Sequence, residues 1–434
     1  MFRKLKVVLA FFVILLVIFS ANAFGIGSGG YRNEVVDAEA AGKGFCFTAQ
    51  ADNPSAVHYN PAGLTQLKGS QITVGYVYEA PMFSVDSKAT GDNVNMQKQV
   101  FYLPNVYFVT ELKNENLRFG FGANSPYGLS TDWANDSFAR YLSTESNVTM
   151  MNYNPTIAYK VNNYVSVGAG IDFFTADVNK HRVVSAALSN TGGDFQLKGS
   201  DESWGYNFGL LLRPSEKHSI GISYRSEINV TLEGTVSLDG LNATGIGIFG
   251  ASSYSTKMES KSTIPRSIAF GYAYKPNNKW TVEADAEWTD WSCVEEEFLT
   301  YPDLNNTNDP AGLIRGTLNT DNPASRDWRS VWAYGIGAEY QATDKLELRG
   351  GFLYEQSPIP SANFEPVLPD SNKHGITIGA GYLLKNVKID ASYAFLKYRD
   401  RDVTNDIGSS TASNVDGKYK GYVNILGLSL TYKY

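Results

Sequence analysis

Apolar and polar residues alternate in short segments along most of this chain. The final segment, residues 421–434, carries on one parity Tyr422, Asn424, Leu426, Leu428, Leu430, Tyr432 and Tyr434. Strict alternation predicts a β-strand with one apolar face. In a soluble protein such a strand invites edge-to-edge pairing, whereas a closed barrel in a membrane has no free edge and needs apolar side chains outside. The pattern therefore predicts the closing strand of an outer-membrane β-barrel.

The same alternation divides most of the chain into strands. We predict strands at residues 70–78, 100–111, 117–124, 151–161, 164–182, 203–213, 219–234, 263–274, 279–291, 328–341, 345–356, 373–384, 387–399 and 421–434. About fourteen strands fit the even number of single-chain bacterial barrels. Short links alternate with polar stretches of roughly 15 to 35 residues, as periplasmic turns alternate with extracellular loops. Both chain termini are then expected in the periplasm.

The parity of charged residues tests this interpretation. Between residues 280 and 288 three acidic residues share one parity, and the apolar residues occupy the other. Arg or Lys facing lipid at mid-membrane costs about 2 to 4 kcal/mol, so the charged face is assigned to the lumen. Two misfits, Arg266 and Lys397, fall at predicted outer strand ends, where long side chains can snorkel. A secreted β-sandwich or propeller would need polar outward faces, which the apolar stripes do not provide.

The N-terminus has the pattern of an export signal. Three basic residues precede an apolar run at residues 7–19, and small residues follow up to Ala23. This is the order of a secretory signal peptide, and we expect cleavage after Ala23. A retained anchor is disfavoured because the run is shorter than the roughly 20 residues that a spanning helix needs.

Charge and cysteine content narrow the class of protein. The formal net charge of −7 becomes more negative when the basic leader is removed, which argues against a nucleic-acid partner. Cys46 and Cys293 are the only cysteines, so a disulfide framework is excluded and a single bridge remains open.

The sequence gives little support for catalysis. The four histidines lie on different segments, and neither a His-Glu-x-x-His nor a Gly-x-Ser-x-Gly pattern occurs. We therefore expect no enzyme activity, no metal and no cofactor. The segment 303–309 has oxygen-bearing side chains at alternate positions but lacks the later Glu and the turn Gly of a calcium loop, which favours a solvated loop.

Residues 24–69 do not alternate. They are rich in Gly and Ala and contain turn signals, yet they also carry Phe45, Phe47, Val57, Tyr59 and Leu64. A periplasmic tail would be charged and repetitive. We therefore predict three parts: a signal peptide at 1–23, a hatch folded inside the lumen at 24–69, and the barrel at 70–434.

The tripeptide Asn60-Pro61-Ala62 resembles the hatch motif of the outer-membrane long-chain fatty-acid transporters, the FadL and TodX family. Further matches occur in order along the chain at residues 125–131, 264–265, 271–272, 288–292, 357–360 and 369–370. The resemblance implies a fourteen-stranded barrel, sealed by the hatch, that takes up hydrophobic molecules. It also implies their sideways release through a gap at a kink in the third strand.

The third predicted strand offers a physical basis for that gap. Glycines inside a strand mark bulges or bends, and a proline removes a ladder donor, so Gly120, Gly122 and Pro126 are the candidate gate residues. The alternative is that such glycines relieve crowding in a narrow lumen. Other glycines could serve that purpose, namely Gly209, Gly335, Gly337, Gly379 and Gly381.

A fatty acid needs an apolar trough and a cation for its carboxylate. Arg349, Arg225 and Arg182 face the lumen by parity, and Arg349 is the first choice because it precedes the match at residues 357–360. Alternatively, these arginines pair with lumen acids such as Glu227, Glu283 or Asp285. An apolar access groove is predicted after the third strand from Trp133, Phe138, Tyr141 and Leu142.

The sequence thus predicts passive uptake of hydrophobic compounds across the bacterial outer membrane, with long-chain fatty acids as the first substrate class. Aromatic hydrocarbon uptake by the same architecture is an alternative. A general porin would need a lumen without the hatch. The expected partners are the hydrophobic ligand, outer-membrane lipid with lipopolysaccharide, and the barrel assembly machinery. We expect a monomer.

Overall fold

The computed structural model describes residues 29–33, 36–319, 324–408 and 414–434, so the predicted signal peptide lies outside the described residues. Fourteen strands close an antiparallel barrel: β1 (Gln71–Ser87), β3 (Phe101–Glu111), β4 (Leu117–Asp132), β5 (Glu145–Lys160), β6 (Val165–Val183), β7 (Asp194–Ser215), β8 (His218–Arg225), β11 (Ser267–Asn277), β12 (Trp280–Thr289), β15 (Val331–Gln341), β16 (Leu346–Glu355), β17 (Lys373–Leu384), β18 (Val387–Val403) and β19 (Gly417–Lys433). Five further strands lie outside this ring: β2 (Asn93–Asn95), β9 (Ile228–Asp239), β10 (Ser253–Ile264), β13 (Glu296–Thr300) and β14 (Ala324–Ser325).

The barrel closes where the sequence predicts. β1 pairs with β19 from Gln71↔Lys433 to Ser87↔Gly417. On β19 the outward side chains Leu426, Leu428 and Leu430 are each about half exposed, at 50%, 55% and 47%, whereas the alternate positions are buried. The apolar stripe therefore faces the bilayer side, and the prediction of a fourteen-stranded barrel with this closing strand is confirmed.

One predicted strand is wrong. Residues 219–234 form two strands, because β8 ends at Arg225 and β9 leaves the barrel wall. β9 pairs with the outer half of β7 and with β10, and β10 pairs in turn with β13. These strands form an extension beyond the barrel rim, which we call the extracellular extension.

The extracellular extension has its own apolar core. Val236, Leu238 and Met258 pack with Phe249 of the helix Ala243–Phe249 and with Leu318 of the helix Leu313–Leu318. The segment considered as a calcium loop belongs here. Both carboxylate oxygens of Asp309 accept backbone hydrogen bonds from the Leu313–Leu318 helix, at 3.1 and 2.9 Å, so this carboxylate acts as a helix cap.

The hatch lies inside the barrel. It contains the helices Ala38–Ala41 and Ala56–Tyr59 and a 3₁₀ helix, Pro61–Gln66. Its Cys46 is fully buried, and both Cys46 and Cys293 are free, so the two cysteines form no bridge. Two short 3₁₀ turns, Trp291–Cys293 and Ser361–Asn363, lie in the outer loops. Among the described helices, none has the length and apolarity to span a membrane.

Candidate transport path

Asn60 fixes the hatch to the barrel wall. Its side-chain amide donates to the carbonyl oxygens of Thr48, at 2.8 Å, and of Leu210 on β7, at 3.1 Å. Its side-chain oxygen accepts from the backbone N–H of Ala62 at 3.1 Å and thereby caps the Pro61–Gln66 turn. Pro61 fits the first position of that turn, where no N–H is needed. The tripeptide is thus a small cap whose one polar side chain also reaches the barrel.

Lumen glycines make room for the hatch. A Cβ built on Gly209 would lie 2.2 Å from Oδ1 of Asn60, and one on Gly337 would lie 2.1 Å from the carbonyl oxygen of Lys43. Such distances are too short for real contacts, so a side chain at either position would force the hatch away. Gly335 and Gly379 also approach hatch backbone closely, whereas Gly381 lies over the Arg349 guanidinium.

Gly120 and Gly122 belong to the same group. A Cβ on Gly120 would lie 2.7 Å from Leu64 Cδ1, and one on Gly122 would lie 2.9 Å from Val57 Cγ1. Both glycines also sit in the regular ladder between β3 and β4. These contacts favour the alternative that the two glycines relieve crowding against the hatch, and their role as gate residues stays a prediction.

The ladder between β3 and β4 is nevertheless interrupted. It runs from Glu111↔Arg118 to Val106↔Ala123 and then stops, while residues 101–105 stay paired with β1 and the rest of β4 stays paired with β5. The register between β4 and β5 shifts between Asn124 and Tyr127, a shift that includes Pro126. Residues 123–131 are all buried, so β4 bends inward and leaves a lateral gap in the wall.

The N-terminal strap, residues 29–33, occupies the β4 edge that β3 leaves. The backbone N–H of Asn33 donates to Pro126 O at 2.8 Å, and that of Gly128 donates to Tyr31 O at 2.9 Å. The Arg32 guanidinium reaches across the lumen to Glu287, with the two side chains 2.6 Å apart. The strap therefore satisfies the backbone groups that the bend of β4 exposes.

An apolar cavity of about 130 Å³ lies against the strap. Its wall includes Tyr31, Leu129, Met150, Val230 and Trp328. Tyr31 packs edge-on against Trp291, with ring centroids 4.9 Å apart, and lies 6.1 Å from the Tyr127 ring at the bend. One side chain of the strap thus contacts both the cavity and the bent strand.

Four charged side chains form a rim network at the outer side of this cavity. The Lys180 ammonium lies 2.9 Å from Glu297, and the Arg326 guanidinium lies 2.7 Å from Glu297 and 2.6 Å from Glu365. Lys180 in particular, helped by Arg326, holds the pKa of the half-buried Glu297 carboxyl below its usual range. Glu297 is therefore ionised at neutral pH.

The same four side chains also line an outer groove of about 780 Å³. Its apolar wall includes Leu142, Phe195, Leu197, Leu299 and Leu318. Groove and cavity thus share the rim network, and a molecule that passes from one to the other moves past it.

Of the four predicted groove residues, only Leu142 lines this groove. Trp133 is fully buried, donates from Nε1 to Pro366 O at 3.0 Å, and packs on Phe138 at 5.4 Å. Tyr141 is buried as well, under the Arg140 guanidinium. These three buried aromatic rings form a small local core that stabilises the loop instead of lining the groove.

Arg349 is engaged at the inner end of the barrel. Its guanidinium contacts Glu339 at 2.7 Å, Asp390 at 2.8 Å, the hatch residue Glu39 at 3.2 Å, and also Glu347. Every nitrogen of the group therefore faces a protein carboxylate, and Lys388 joins the same cluster. This geometry disfavours Arg349 as the carboxylate partner and favours the alternative of pairing with lumen acids.

The other two arginines lie nearer the path. Arg225 ion-pairs with Asp172 and donates to the carbonyl oxygen of His58 at 3.3 Å. Arg182 lies 4.2 Å from the centre of the Phe195 ring, donates to Tyr141 O at 3.1 Å, and lines the outer groove.

Sequence reasoning missed Lys180 and Arg326. Lumen parity on β6 could have identified Lys180, whereas Arg326 follows no periodic segment.

Below the strap the lumen becomes polar. A second cavity of about 80 Å³ is bounded by the hatch and by charged side chains that include Arg32, Arg225, Asp285, Glu287 and Glu355. A hydrocarbon chain would have to displace the solvation or pairing of these groups to move further down. The apolar surface therefore continues toward the lateral gap rather than toward the hatch.

Comparison with known proteins agrees with this architecture. Residues 23–434 match the sequence model of the family described as outer membrane protein transport protein (OMPP1/FadL/TodX). A putative outer membrane protein of Neisseria meningitidis is 26% identical, with 95% of this chain and 96% of the relative covered. The long-chain fatty acid transport protein of Escherichia coli K12 is 23% identical, with 80% and 83% covered.

Solved structures give the same fold. A FadL homologue of Pseudomonas aeruginosa has a TM-score of 0.80 at 18% identity, covering 93% of this chain and all of the homologue. The Pseudomonas putida toluene transporter TodX has a TM-score of 0.68 at 16% identity, with 95% and 99% covered. The chain therefore belongs to the OMPP1/FadL/TodX family, whose members are bacterial outer-membrane β-barrels that transport hydrophobic compounds and are not enzymes.

Proposed function

We propose that this protein takes up long-chain fatty acids and releases them sideways into the outer membrane. The observation that carries this proposal is the interrupted β3–β4 ladder beside an apolar cavity, with the strap bound to the β4 bend inside the gap. A substrate would pass from the outer groove past the rim network into the cavity. Displacement of Tyr31 would then connect the cavity to the lipid.

The rim network supports an amphiphilic substrate. A fatty-acid carboxylate can replace Glu297 or Glu365 as the anion next to Lys180 and Arg326, so the cations stay paired during passage. A neutral hydrocarbon offers no such exchange and would leave the network as it is. One relative of this chain is named for long-chain fatty acids and one similar structure for toluene, so the substrate class has to be tested directly.

Lateral release can be tested by locking the strap. Arg32 and Tyr127 face each other as an antiparallel bridge, so Arg32→Cys with Tyr127→Cys would tether the strap to β4. The oxidised double variant should bind a fatty acid as purified protein but fail to import it into cells, and reduction should restore import. The reduced form of the same protein is the matched control. Equal import by the oxidised and reduced forms would exclude movement of the strap from the route.

The substrate class can be tested at the rim network. Lys180→Gln combined with Arg326→Gln removes both cations and should weaken fatty-acid binding by about 1.5 to 3 kcal/mol, the usual worth of a hydrogen bond to a charged group. Toluene binding should change little. Lys261→Gln is the control, because Lys261 lines the same cavity with a side chain that is 77% exposed. Similar losses for both ligands would favour aromatic hydrocarbon uptake with a structural rim network.

A further inference from the structure

The outward face of four adjacent strands changes from apolar to polar at one height. These strands, β17, β18, β19 and β1, meet at the seam where the barrel closes. Their last apolar outward residues are Ile376, Phe395, Tyr422 and Met82, and their first polar ones are His374, Lys397, Lys420 and Ser84. In the register, Lys397 lies opposite both His374 and Tyr422, and Lys420 lies opposite Ser84. The change therefore marks the outer boundary of the lipid-facing band.

Basic side chains cluster directly above this boundary. Lys397, Lys418 and Lys420 have side chains that are 38%, 43% and 38% exposed. Two carboxylates accompany them. Asp400 lies between Lys397, at 3.8 Å, and Lys418, at 3.4 Å, and Asp86 lies 2.7 Å from Lys420. We call these three lysines with their two aspartates the seam patch. Exposed Arg399 and exposed Asp402, which pairs opposite Lys418, add one charge of each sign beside it, so the surface keeps one positive charge in excess.

The contacts of Lys397 are loose. Its ammonium reaches Asp400 only at 3.8 Å and donates to the Gly421 carbonyl at 3.3 Å. An ammonium has three donors, so it can accept a further oxygen ligand without giving up these partners. Because Lys397 stands at the level of Tyr422, that ligand would sit at the depth where lipid headgroups begin.

We propose that the seam patch binds the phosphate of a phosphorylated outer-leaflet lipid. The patch is continuous with an apolar surface immediately below it, where the rings of Phe395 and Tyr422 lie 5.8 Å apart and are 38% and 37% exposed. A ligand that uses both surfaces needs an anionic headgroup and acyl chains in one molecule. A free phosphate ion would use only the lysines, and a protein partner would have to enter the lipid-facing band.

The other outward basic residue noted in the sequence shows the contrast. Arg266 also stands at an outer strand end, but its guanidinium makes a close two-nitrogen contact with Asp290, at 2.9 and 3.0 Å, and lies over the Trp288 ring. No second outward-facing basic side chain accompanies it on the neighbouring described strands β8 and β12, since Arg225 at that height faces the lumen. A single ion pair of this kind offers no cluster of cations to a lipid phosphate, whereas the seam patch brings three cations together across two strands.

The binding site would also span the closing seam. Lys420 belongs to β19 and its partner Asp86 to β1, and the two strands pair along their whole length. A lipid phosphate held by Lys397 and Lys420 would therefore touch the last two strands of the barrel beside the first. Bound lipid should stabilise the closure as well as occupy the surface.

The test uses the folded full-length protein purified in mild detergent and mixed with a bisphosphorylated lipid A. Native mass spectrometry and a salt titration measure retention. Lys397→Gln, Lys418→Gln and Lys420→Gln together should weaken retention about 150-fold, since each basic residue near an anionic lipid surface contributes roughly 1 kcal/mol. The matched control, Lys198→Gln, Lys257→Gln and Lys261→Gln, removes the same charge from the extracellular extension and should retain the lipid.

Three results would overturn the proposal: equal loss in both triple variants, no retention by the unaltered protein, or equal retention of a lipid A whose phosphates have been removed. Displacement of the lipid by inorganic phosphate at similar concentration would show an ion site instead, and that also contradicts it. Heat-modifiable migration on gels confirms that each variant is folded. Should the triple variant not fold, Lys397→Gln alone is sufficient, and about a fivefold loss is expected for one lysine.

Discussion

Replacement of Asn60 by Ala should release the hatch without opening the barrel. Asn60 makes three hydrogen bonds, two as donor to the carbonyls of Thr48 and Leu210 and one as acceptor from Ala62. Each buried hydrogen bond contributes about 1 kcal/mol net, so the loss should be about 3 kcal/mol. The barrel ladders do not involve this side chain, and therefore the effect should stay local.

A change of 3 kcal/mol corresponds to an approximately 150-fold larger population of the locally opened hatch. Hydrogen exchange of hatch amides, followed by mass spectrometry in detergent or nanodiscs, should accelerate by that factor. Exchange in the β1–β19 ladder should stay unchanged. In planar bilayers, ion leak through the loosened lumen should rise in parallel.

The control is Asn162→Ala, which also removes side-chain hydrogen bonds to backbone, since Asn162 accepts from Tyr164 and Val165 N–H at 2.8 and 2.9 Å in the exposed turn between β5 and β6. It should leave hatch exchange as it was. If Asn60→Ala exchanges no faster than this control, the side chain does not hold the hatch. If exchange accelerates throughout the barrel, hatch and wall unfold as one unit and the local argument is wrong.

Arg349→Ala should lower the free energy of unfolding, measured by urea titration, by about 3 to 5 kcal/mol, because it leaves a cluster of buried carboxylates without its central cation. A loss confined to fatty-acid binding would instead restore Arg349 as the ligand partner. Gly120→Leu should displace Leu64 and raise ion leak in planar bilayers. Gly350→Leu should not, because an added Cβ there would meet only Thr377 O, at an ordinary contact distance of 3.8 Å, and equal leak in both variants would remove the hatch contact as the cause. Fatty-acid binding should be constant from about pH 6 to pH 8, because the ligand carboxyl is ionised there and the depressed pKa of Glu297 keeps its ion pairs complete above the unfolded value of about 4.3. A midpoint inside that range would contradict the pairing.

The strands could be predicted because the bilayer constrains every outward position. On β19 the outward residues of the stripe ending at Tyr434 contact lipid and are therefore apolar. Alternation alone then predicts that the segment is a strand and which of its side chains face outward. The division between β8 and β9 could not be predicted, because alternation continues across residues 226–227. Parity says which side a residue faces but does not say which strand pairs with it.

The site was harder to predict, because it depends on groups that converge from distant segments. Lumen parity placed Arg349 correctly, yet the carboxylates around it come from the hatch and from three strands. The glycines at 120 and 122 were recognised as unusual, but their cause is the approach of Val57 and Leu64 from the hatch. Pro126 does lie at the bend, and its role there as a gate stays a prediction.

The pairing of the first barrel strand with the last has a consequence for biogenesis. All seventeen residues of β1 pair with β19, so an unfinished chain would present open edges that lipid cannot satisfy. Closure and insertion should therefore occur together, after the whole barrel sequence has been made, and the great sequence separation makes this the slow step. The lumen exists only after that event. The hatch, which precedes every barrel strand in the chain, is thus the last part to reach its final structure.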